Sequence, residues 1–369
     1  MSAHKGRVLC VDDEPHVVRA LQWLLRKDFE VHTATTAADG LRLVQQHDFD
    51  VVVSDQRMPG VTGVEFLRDV SRAAPRAMRI LLTGYSDLDA MVRSVNESEV
   101  YRFVTKPWDI RELPRLIAEA AEVARQSPAI PPEAVAPVPP PGTEGAEPPD
   151  ALPARAGAAA RHWPAMVAMR EGESLLLIDD DEGTRQEMLE VLGNTVRMRH
   201  ASNLAEAVQA LDESPASVVI SDVRVGKVDV TRLIRLMKQK HPEVVAVVFS
   251  GVQDARVVMD LINQGQVYRF VPKPFKPGFL RLVVDSAIKR HRRLAESPEA
   301  RRRFQGESAG DEAAQSLRHD VEMAARAFAG GGACAIAPVA ATGFVEEKGD
   351  AGEGFLSRIS GGFRRLFGA

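Results

Sequence analysis

The chain repeats itself at a fixed interval, and this repeat limits its fold more than any other feature of the sequence. The stretch VYRFVTKPWDI begins at Val100, and VYRFVPKPFKP begins at Val267, 167 residues later. The same interval holds without a gap from the first apolar run of each copy to its Lys-Pro pair. Two copies of one domain are therefore predicted, and any fold proposed for the chain has to fit twice.

Short apolar runs alternate with segments of helical period in each copy. The runs lie at 8–11, 51–53, 80–82 and 103–104 in the first copy, and at 175–178, 218–220, 244–249 and 270–271 in the second. Runs that are short and do not alternate strictly with polar residues are typical of strands buried on both faces. Segments such as 16–26 and 62–71 carry the helical period between them. This βαβα order predicts a parallel sheet with helices on both faces.

Composition divides the chain into two domains, a linker and a tail. We expect the first domain at 5–124, a linker at 125–172, the second domain at 173–294 and a flexible tail at 295–369. Residues 128–153 hold ten prolines, which cannot support a helix or a strand ladder and predict a semi-extended linker.

The tail contains two segments with helical patterns. A helix is predicted at about 311–329, with Leu317, Val321, Ala324 and Phe328 on one face. The segment 354–369 is amphipathic, with arginines as its basic residues, and is typical of a helix that lies on a membrane surface or docks in a partner's groove. A frayed terminus is the alternative.

Charge and composition limit the partners and the compartment. The net charge is -4 with a pI of about 6.2, which argues against a general electrostatic grip on nucleic acid. Seven Lys or Arg residues lie between Lys289 and Arg303, but no helix-turn-helix, zinc or aromatic platform accompanies them, so nucleic acid is not an expected partner. Two cysteines and the lack of an 18-residue apolar run predict a cytoplasmic protein without a membrane span.

Charged and hydroxyl residues follow the apolar runs at matching places in both copies. Because ligands of parallel α/β sheets bind beyond the carboxyl ends of the strands, these residues could form one site per copy. A single Asp at such a place is more often a helix cap or turn residue, but both copies keep the spacings 43, 28 and 23. The residues are Asp12, Asp13, Glu14, Asp55, Thr83 and Lys106 in the first copy, and Asp179, Asp180, Asp181, Asp222, Ser250 and Lys273 in the second.

These residue types suit the acceptance of a phosphoryl group. Converging carboxylates repel one another unless a cation holds them, and hard oxygen ligands in partial number suit Mg²⁺. One carboxylate can then attack phosphorus, while a lysine and a hydroxyl bind the phosphoryl oxygens. The sequence has neither GxxxxGK[ST] nor a kinase-type glycine loop, so the phosphoryl group is expected to come from a donor other than a nucleotide bound by this chain.

Four motifs in each copy carry a family resemblance. VLCVDDEP, VVVSDQRMPG, LLTGY and FVTKPW resemble the signatures of response-regulator receiver domains of two-component signalling, and SLLLIDDDEG, VVISDVR, VVFSG and FVPKPF resemble a second set. The resemblance implies two flavodoxin-like (βα)5 domains. SDQRMPG with YRFVTKPW is also similar to receivers in front of HD-GYP cyclic-dinucleotide phosphodiesterases, but no HD-GYP segment follows, so that enzymatic output is not expected.

The resemblance also implies a role for each site residue. The phosphoacceptors would be Asp55 and Asp222, and the phosphoryl contacts would be Thr83 and Lys106 in the first copy and Ser250 and Lys273 in the second. Gly84 and Gly251 would leave room for the incoming group. The Mg²⁺ ligands would be Asp13 directly, Asp12 through water, Asp55 and the carbonyl of Arg57, and correspondingly Asp180, Asp179, Asp222 and Arg224.

The repeated VYRFV phrase would form the switch. In the family the Lys-Pro bond is usually cis, and Phe103 and Phe270 would be the aromatics whose rotamer follows the Thr or Ser; ordinary core aromatics are the alternative. Tyr101 and Tyr268 would face the other way along the strand. Arg102 and Arg269 are expected on the partner-binding surface of the fourth helix, fifth strand and fifth helix, or else as solvated edge residues.

Together these features predict a tandem-receiver response regulator. It would take phosphoryl groups from a histidine kinase or phosphotransfer protein and signal by phosphorylation-dependent protein contacts, with self-phosphorylation and autodephosphorylation as its only reactions. A phosphate sink or scaffold, localised by its C-terminal segment, is the alternative. The loop after the acceptor differs between the copies, because Met58-Pro59-Gly60 becomes Val225-Gly226-Lys227 and loses its proline. The resemblance therefore implies the chemistry of the second site but does not carry over the geometry of its loop.

Overall fold

The computed structural model describes two domains and parts of the tail. The described residues are 5–84, 92, 95–96, 98–126, 166–226, 228–250, 255–304, 311–329, 362–363 and 365–366. The proline-rich stretch predicted at 128–153, most of the amphipathic segment 354–369, Gly251 and the side chain of Phe328 lie outside them.

The first domain is built on a five-stranded parallel sheet. The strands are β1 (Arg7–Val11), β2 (Glu30–Ala34), β3 (Val51–Asp55), β4 (Met78–Thr83) and β5 (Arg102–Thr105). They follow the sheet order β2-β1-β3-β4-β5, which confirms the predicted doubly wound, flavodoxin-like topology. The helices described in full are Pro15–Leu25, Ala37–Gln46, Gly63–Ala73 and Glu112–Gln126.

The second domain repeats this topology. The strands are β6 (Leu175–Ile178), β7 (Met198–Ala201), β8 (Val218–Asp222), β9 (Arg224–Val225), β10 (Val228–Asp229), β11 (Val245–Ser250) and β12 (Arg269–Pro272). The parallel sheet has the order β12-β11-β8-β6-β7, and a short antiparallel hairpin of β9 and β10 follows β8. The helices are Glu182–Leu192, Leu204–Glu213, Thr231–Lys240, Ala255–Asn263 and Pro277–Glu296, with a 3-10 turn at Gly193–Thr195.

Local sequence explains where the helix that follows the predicted acceptor begins. Thr62 caps the helix Gly63–Ala73: its hydroxyl accepts the N–H of Glu65, while the Glu65 carboxylate accepts the N–H of Thr62. This capping box satisfies two amides that have no partner within the helix. Val64, Leu67 and Val70 then recur on one face and are buried against the sheet. The helix is thereby fixed at the carboxyl end of β3, next to Asp55.

The longer helix of the tail packs on the second domain. The helices Pro298–Arg302 and Asp311–Ala329 follow the long helix Pro277–Glu296, and the last of them matches the helix predicted at 311–329. Its residues Leu317 and Val321 are buried in contact with the helices Leu204–Glu213 and Thr231–Lys240. Near the C-terminus, Phe363 is 1% exposed in the same apolar cluster.

The basic residues between Lys289 and Arg303 have partners inside the protein. Arg290 pairs with Glu99, Arg292 with Glu173 and Lys289 with Asp285. Arg303 is buried and donates to the carbonyl of Pro75 in the first domain. These basic residues are therefore used in ion pairs and hydrogen bonds within the protein. Among the described residues, no helix has the length and apolar character needed to cross a membrane.

Candidate functional site

Three residues from different strand ends meet at the carboxyl edge of the first sheet. Asp12 follows β1, Asp55 ends β3 and Lys106 follows β5. The Nζ atom of Lys106 lies 2.7 Å from Asp12 Oδ2 and 2.5 Å from Asp55 Oδ1. The Asp12 side chain is fully buried, and that of Asp55 is 8% exposed. The structure thus brings together the acid pair and the lysine that the sequence predicts.

Backbone amides fix both carboxylates. The N–H of Glu14 donates to Asp12 Oδ1 at 3.0 Å, and the N–H of Arg57 donates to Asp55 Oδ2 at 2.8 Å. Each acid therefore presents one oxygen to the backbone and the other to Lys106. Thr83 ends β4, the strand that pairs with β3, and is buried, which places its hydroxyl at the same edge as Asp55.

The electrostatics favour a charged lysine. Burial raises the pKa of Asp12, although hydrogen bonds from Lys106 and Glu14 oppose this. Burial alone would lower the pKa of Lys106, but hydrogen bonds and charge interactions with Asp12 and Asp55 outweigh it and raise the pKa. The ammonium group is therefore held as a fixed positive charge beside the predicted acceptor.

The second domain builds the same arrangement. Lys273 Nζ lies 2.8 Å from Asp179 Oδ2 and 2.5 Å from Asp222 Oδ2. The N–H of Asp181 donates to Asp179 Oδ1 at 2.9 Å, as that of Glu14 does to Asp12. Although burial opposes it, pairing with both acids raises the pKa of Lys273, as in the first domain. Ser250 ends β11, at the position that Thr83 holds in β4.

The loop after the acceptor is where the two sites differ. In the second domain it forms the β9–β10 hairpin, which turns at Gly226 with a φ of 64°. The N–H of Gly226 donates to Asp180 Oδ2 at 3.0 Å and so ties a predicted Mg²⁺ ligand to the loop. The Asp222 side chain is 26% exposed, against 8% for Asp55. The missing proline set this loop apart from the family pattern, and the structure shows that the loop takes the form of a hairpin.

Gly63 is a site residue that the sequence reasoning missed. A Cβ atom at this position would lie 2.1 Å from the carbonyl oxygen of Asp55, so only glycine allows the helix Gly63–Ala73 to start this close to the acceptor. The equivalent residue of the second domain is Val230, which follows the hairpin. The sequence did carry a sign that the two sites differ here, because the repeat has a glycine at position 63 and a β-branched valine at the equivalent position 230.

The predicted metal ligands are oxygen donors of the right kind, but a lysine lies between two of them. Over the described ranges, no three His, Cys, Asp or Glu side chains group as a metal centre. Instead, the ammonium group of Lys106 bridges Asp12 and Asp55. Carboxylates backed by a backbone carbonyl are still the donor chemistry that suits Mg²⁺. Asp13 and Asp180 are not drawn into the lysine bridges that the structure shows.

The residues around the Lys-Pro pairs lie as predicted. Both Lys106-Pro107 and Lys273-Pro274 are cis. Phe103 and Phe270 are buried in one apolar cluster, whereas Tyr101 and Tyr268 are buried in clusters on the opposite faces of their sheets.

The arginines between these aromatics are not solvated edge residues, so that alternative was wrong. Arg102 is 1% exposed and Arg269 is 2% exposed. Each guanidinium lies over the ring of the preceding tyrosine, at 4.1 Å for Tyr101 and 4.3 Å for Tyr268. Arg269 also donates to the carbonyl of Val95 in the first domain at 3.0 Å. They are buried because the two domains pack together at this face.

Both domains match a family model. The model described as "Response regulator receiver domain" matches residues 8–118 and again residues 175–285, which together are more than half of the chain. The chain therefore belongs to the response regulator receiver family and carries two such domains in tandem.

Known relatives resemble one domain at a time. The hydrogenase transcriptional regulatory protein HoxA of Cupriavidus necator is 38% identical over 122 residues, which cover 33% of this chain and 25% of that protein. The transcriptional regulatory protein GlrR of Escherichia coli is 31% identical over 123 residues, or 33% of this chain and 28% of that protein. This chain thus spans about a quarter of the length of these curated relatives.

Solved structures also match single receivers. The signal receiver domain of an HD domain-containing protein from Pseudomonas fluorescens has 32% sequence identity and a TM-score of 0.33. The match covers 34% of this chain and 93% of that one.

Proposed function

We propose that this chain is a tandem-receiver response regulator in which Asp55 and Asp222 accept phosphoryl groups and phosphorylation changes its contacts with other proteins. The observation that carries the proposal is the lysine-bridged acid pair, built twice with nearly equal distances. Lys106 and Lys273 each lie within 2.5 to 2.8 Å of two buried or half-buried carboxylates. A structural ion pair needs only one acid, whereas a phosphoacceptor needs an attacking carboxylate and a cation for the incoming oxygens.

The acceptor carboxylate would act as the nucleophile. An oxygen of Asp55 forms a bond to the phosphorus of the donor, and the bond between phosphorus and the donor's leaving atom breaks. That leaving atom, an imidazole nitrogen of a phosphohistidine or a carboxylate oxygen of acetyl phosphate, keeps the electron pair. Lys106 then moves its charge from the two acids to the phosphoryl oxygens, and the Thr83 hydroxyl donates a hydrogen bond to one of them. Lys273 and Ser250 would do the same for Asp222.

Mg²⁺ is the cofactor that this donor set fits. Asp12, Asp13, Asp55 and the Arg57 carbonyl would hold it in the first receiver, and Asp179, Asp180, Asp222 and the Arg224 carbonyl would hold it in the second. When bound, Mg²⁺ offsets the negative charge of the acids and of the phosphoryl oxygens. The protein's own part is to fix the acids through the amides of Glu14 and Arg57.

The donor and the output partner would both be proteins. A sensor histidine kinase or phosphotransfer protein is the expected donor in a phosphorelay, and phosphoryl transfer and its hydrolysis would be the chain's only reactions, carried out in the cytoplasm. HoxA and GlrR are regulators of transcription by name, but in this chain nucleic acid is not the expected target because the basic run 289–303 is used within the fold.

A phosphate sink or scaffold, localised by residues 354–369, is the second candidate. A specific observation bears on it: Phe363 is buried against the second domain, and Arg365 pairs with Asp212 of the helix Leu204–Glu213. The segment would have to leave this position to reach a membrane surface or a partner's groove. If phosphorylation releases the segment, the segment can act as a localisation signal. If the segment stays bound to the second domain, it cannot.

The test uses the full chain with Mg²⁺ and acetyl phosphate. Wild type, Asp55→Asn, Asp222→Asn and the double variant are incubated and resolved on a gel that retards phosphoproteins. We expect two shifted species for wild type, one for each single variant and none for the double variant. Asp69→Asn, an exposed acid away from the site, is the control and should behave as wild type. A wild-type protein that is not shifted by acetyl phosphate or by candidate kinases would overturn the proposal.

A further inference from the structure

The two receivers meet through their edge strands, and each edge strand carries the predicted switch aromatic. In the described residues, β5 pairs only with β4, and β12 pairs only with β11. One side of each strand is therefore open for hydrogen bonds from another element. Phe103 lies on β5 and Phe270 on β12, and both present their backbone N–H and C=O groups toward the other domain.

Two asparagines close these open edges reciprocally. The side chain of Asn263, from the second receiver, donates to the Phe103 carbonyl at 3.0 Å and accepts the Phe103 N–H at 2.8 Å. Asn96, from the first receiver, makes the same two bonds to Phe270, each at 3.0 Å. A carboxamide carries a donor and an acceptor side by side, so each asparagine takes the place of a neighbouring strand. Asn96 and Asn263 occupy the same position of the repeat, 167 residues apart.

Apolar packing continues through the same contact. Val95 and Phe103 of the first receiver share one buried cluster with Leu261 and Phe270 of the second. Asn96 is only 5% exposed, so its hydrogen bonds are shielded from water. If one of these hydrogen bonds is broken, a polar group is left without a partner and shielded from water. The hydrogen-bonded arrangement of the two receivers is therefore strongly preferred.

We propose that the two receivers form one switching unit, in which the open edge of β5 in the first receiver and that of β12 in the second, each with its bound asparagine, have the opposite receiver as their partner. The proposal rests on the proposed function, because it concerns what phosphorylation does. A change in the Phe103 rotamer repacks the apolar cluster that it shares with Leu261 and Phe270, and a shift of its strand disturbs the bonds to Asn263. A phosphoryl group on Asp55 therefore alters the state of the second receiver, and by linkage the coupling free energy between the two phosphorylated sites is the same in both directions. External partners then bind other surfaces or bind after this contact opens.

The contact itself is tested without phosphorylation. Hydrogen exchange is measured on the full chain for peptides that contain residues 100–105 and 267–272. Asn263→Ala should speed exchange in both peptides by about tenfold, because loss of the two hydrogen bonds made by one asparagine opens the whole contact between the receivers. Asn194→Ala, an exposed asparagine of the second receiver, should leave both unchanged. Faster exchange confined to 100–105, or no change at all, would overturn the shared switch.

The coupling is tested with one acceptor at a time. In Asp55→Asn, acetyl phosphate loads only Asp222, and the gel reports how much is loaded. We expect exchange at 100–105 in the first receiver to change by threefold or more on loading, and this response to vanish in Asp55→Asn combined with Asn263→Ala. Full loading without any change at 100–105 refutes the coupling. If Asp222 is never loaded, the proposed function fails for that site, and the exchange of the unphosphorylated variants still decides whether the contact is shared.

Discussion

Glu99 is the residue whose replacement should most weaken the contact between the receivers. It belongs to the first receiver and its side chain is 9% exposed, yet Arg290 of the second receiver lies 2.8 Å from its carboxylate and Arg79 lies at 3.8 Å. Glu99→Gln keeps the size of the side chain and removes its charge. Glutamine also fits the backbone, because the equivalent Gln266 has a φ of 45° and Glu99 has a φ of 47°.

The cost can be worked from the pKa of the carboxyl group. Burial alone would raise the pKa of Glu99, but Arg290 and the other nearby arginines outweigh burial and lower it from 4.5 to about 2. A shift of this size corresponds to roughly 3 kcal/mol of stability at neutral pH. This agrees with the ~3 to 5 kcal/mol lost when one partner of a buried ion pair is removed. We expect Glu99→Gln to lower the free energy of unfolding of the full chain by about 3 kcal/mol at pH 7.

Urea unfolding at several pH values provides the assay. Because the pKa of Glu99 is depressed in the folded protein, its contribution is complete above about pH 4.5 and is lost as the pH falls toward 2. The difference between wild type and Glu99→Gln should therefore shrink below pH 4.5. Glu122→Gln, at an exposed ion pair, is the control and should leave the stability close to that of wild type. If the Glu99→Gln protein is as stable as this control, the ion pairs of Glu99 with the arginines do not contribute to the free energy of unfolding.

Two further changes test the close packing at Gly63 and the burial of Lys238. Gly63→Ala should destabilise the first receiver by ~1 to 3 kcal/mol in urea unfolding, because its Cβ atom would meet the Asp55 carbonyl oxygen. Gly183→Ala, whose Cβ atom would lie 3.3 Å from Asp181 Oδ1, is the comparison and should cost less. Burial, together with the charge of Arg290, lowers the pKa of Lys238 from 10.5 to about 7. The folded protein therefore binds fewer protons than the unfolded chain between pH 7 and 10.5, so the stability of wild type relative to Lys238→Met should rise over this range, by up to ~1.4 kcal/mol per pH unit. A flat difference would contradict this reading of Lys238.

The fold and the two acidic sites could be predicted because their signals are local and repeated. Short apolar runs define the strands, and residues that directly follow parallel strands must meet at one edge of the sheet. For this reason the meeting of Asp12, Asp55 and Lys106 followed from their positions in the sequence alone. The second copy supplied an independent check through Asp179, Asp222 and Lys273.

The contact between the receivers could not be predicted in the same way. Asn96 and Asn263 are polar residues near the ends of helices, and their local sequence is equally consistent with exposed positions. Their role depends on another domain supplying an open strand edge, which no periodic pattern records. The burial of Arg102 and Arg269 has the same origin. One signal was available, since both pairs are identical residues at equal positions of the repeat, but identity alone does not say what they contact.

The charges at the contact favour the pairing of unlike receivers. Glu99 of the first receiver meets Arg290 of the second, while the equivalent residues are Gln266 in the second receiver and Val123 in the first. Two first receivers joined at this face would place a valine where Arg290 lies, so each buried Glu99 would lose its 2.8 Å ion pair and keep only Arg79 at 3.8 Å, which is less favourable. Two second receivers would bring Arg290 to a neutral glutamine. The hydrogen bonds of Asn96 and Asn263 could form in all three pairings, so the differences at two positions of the repeat, Glu99 against Gln266 and Val123 against Arg290, favour the pairing of the first receiver with the second.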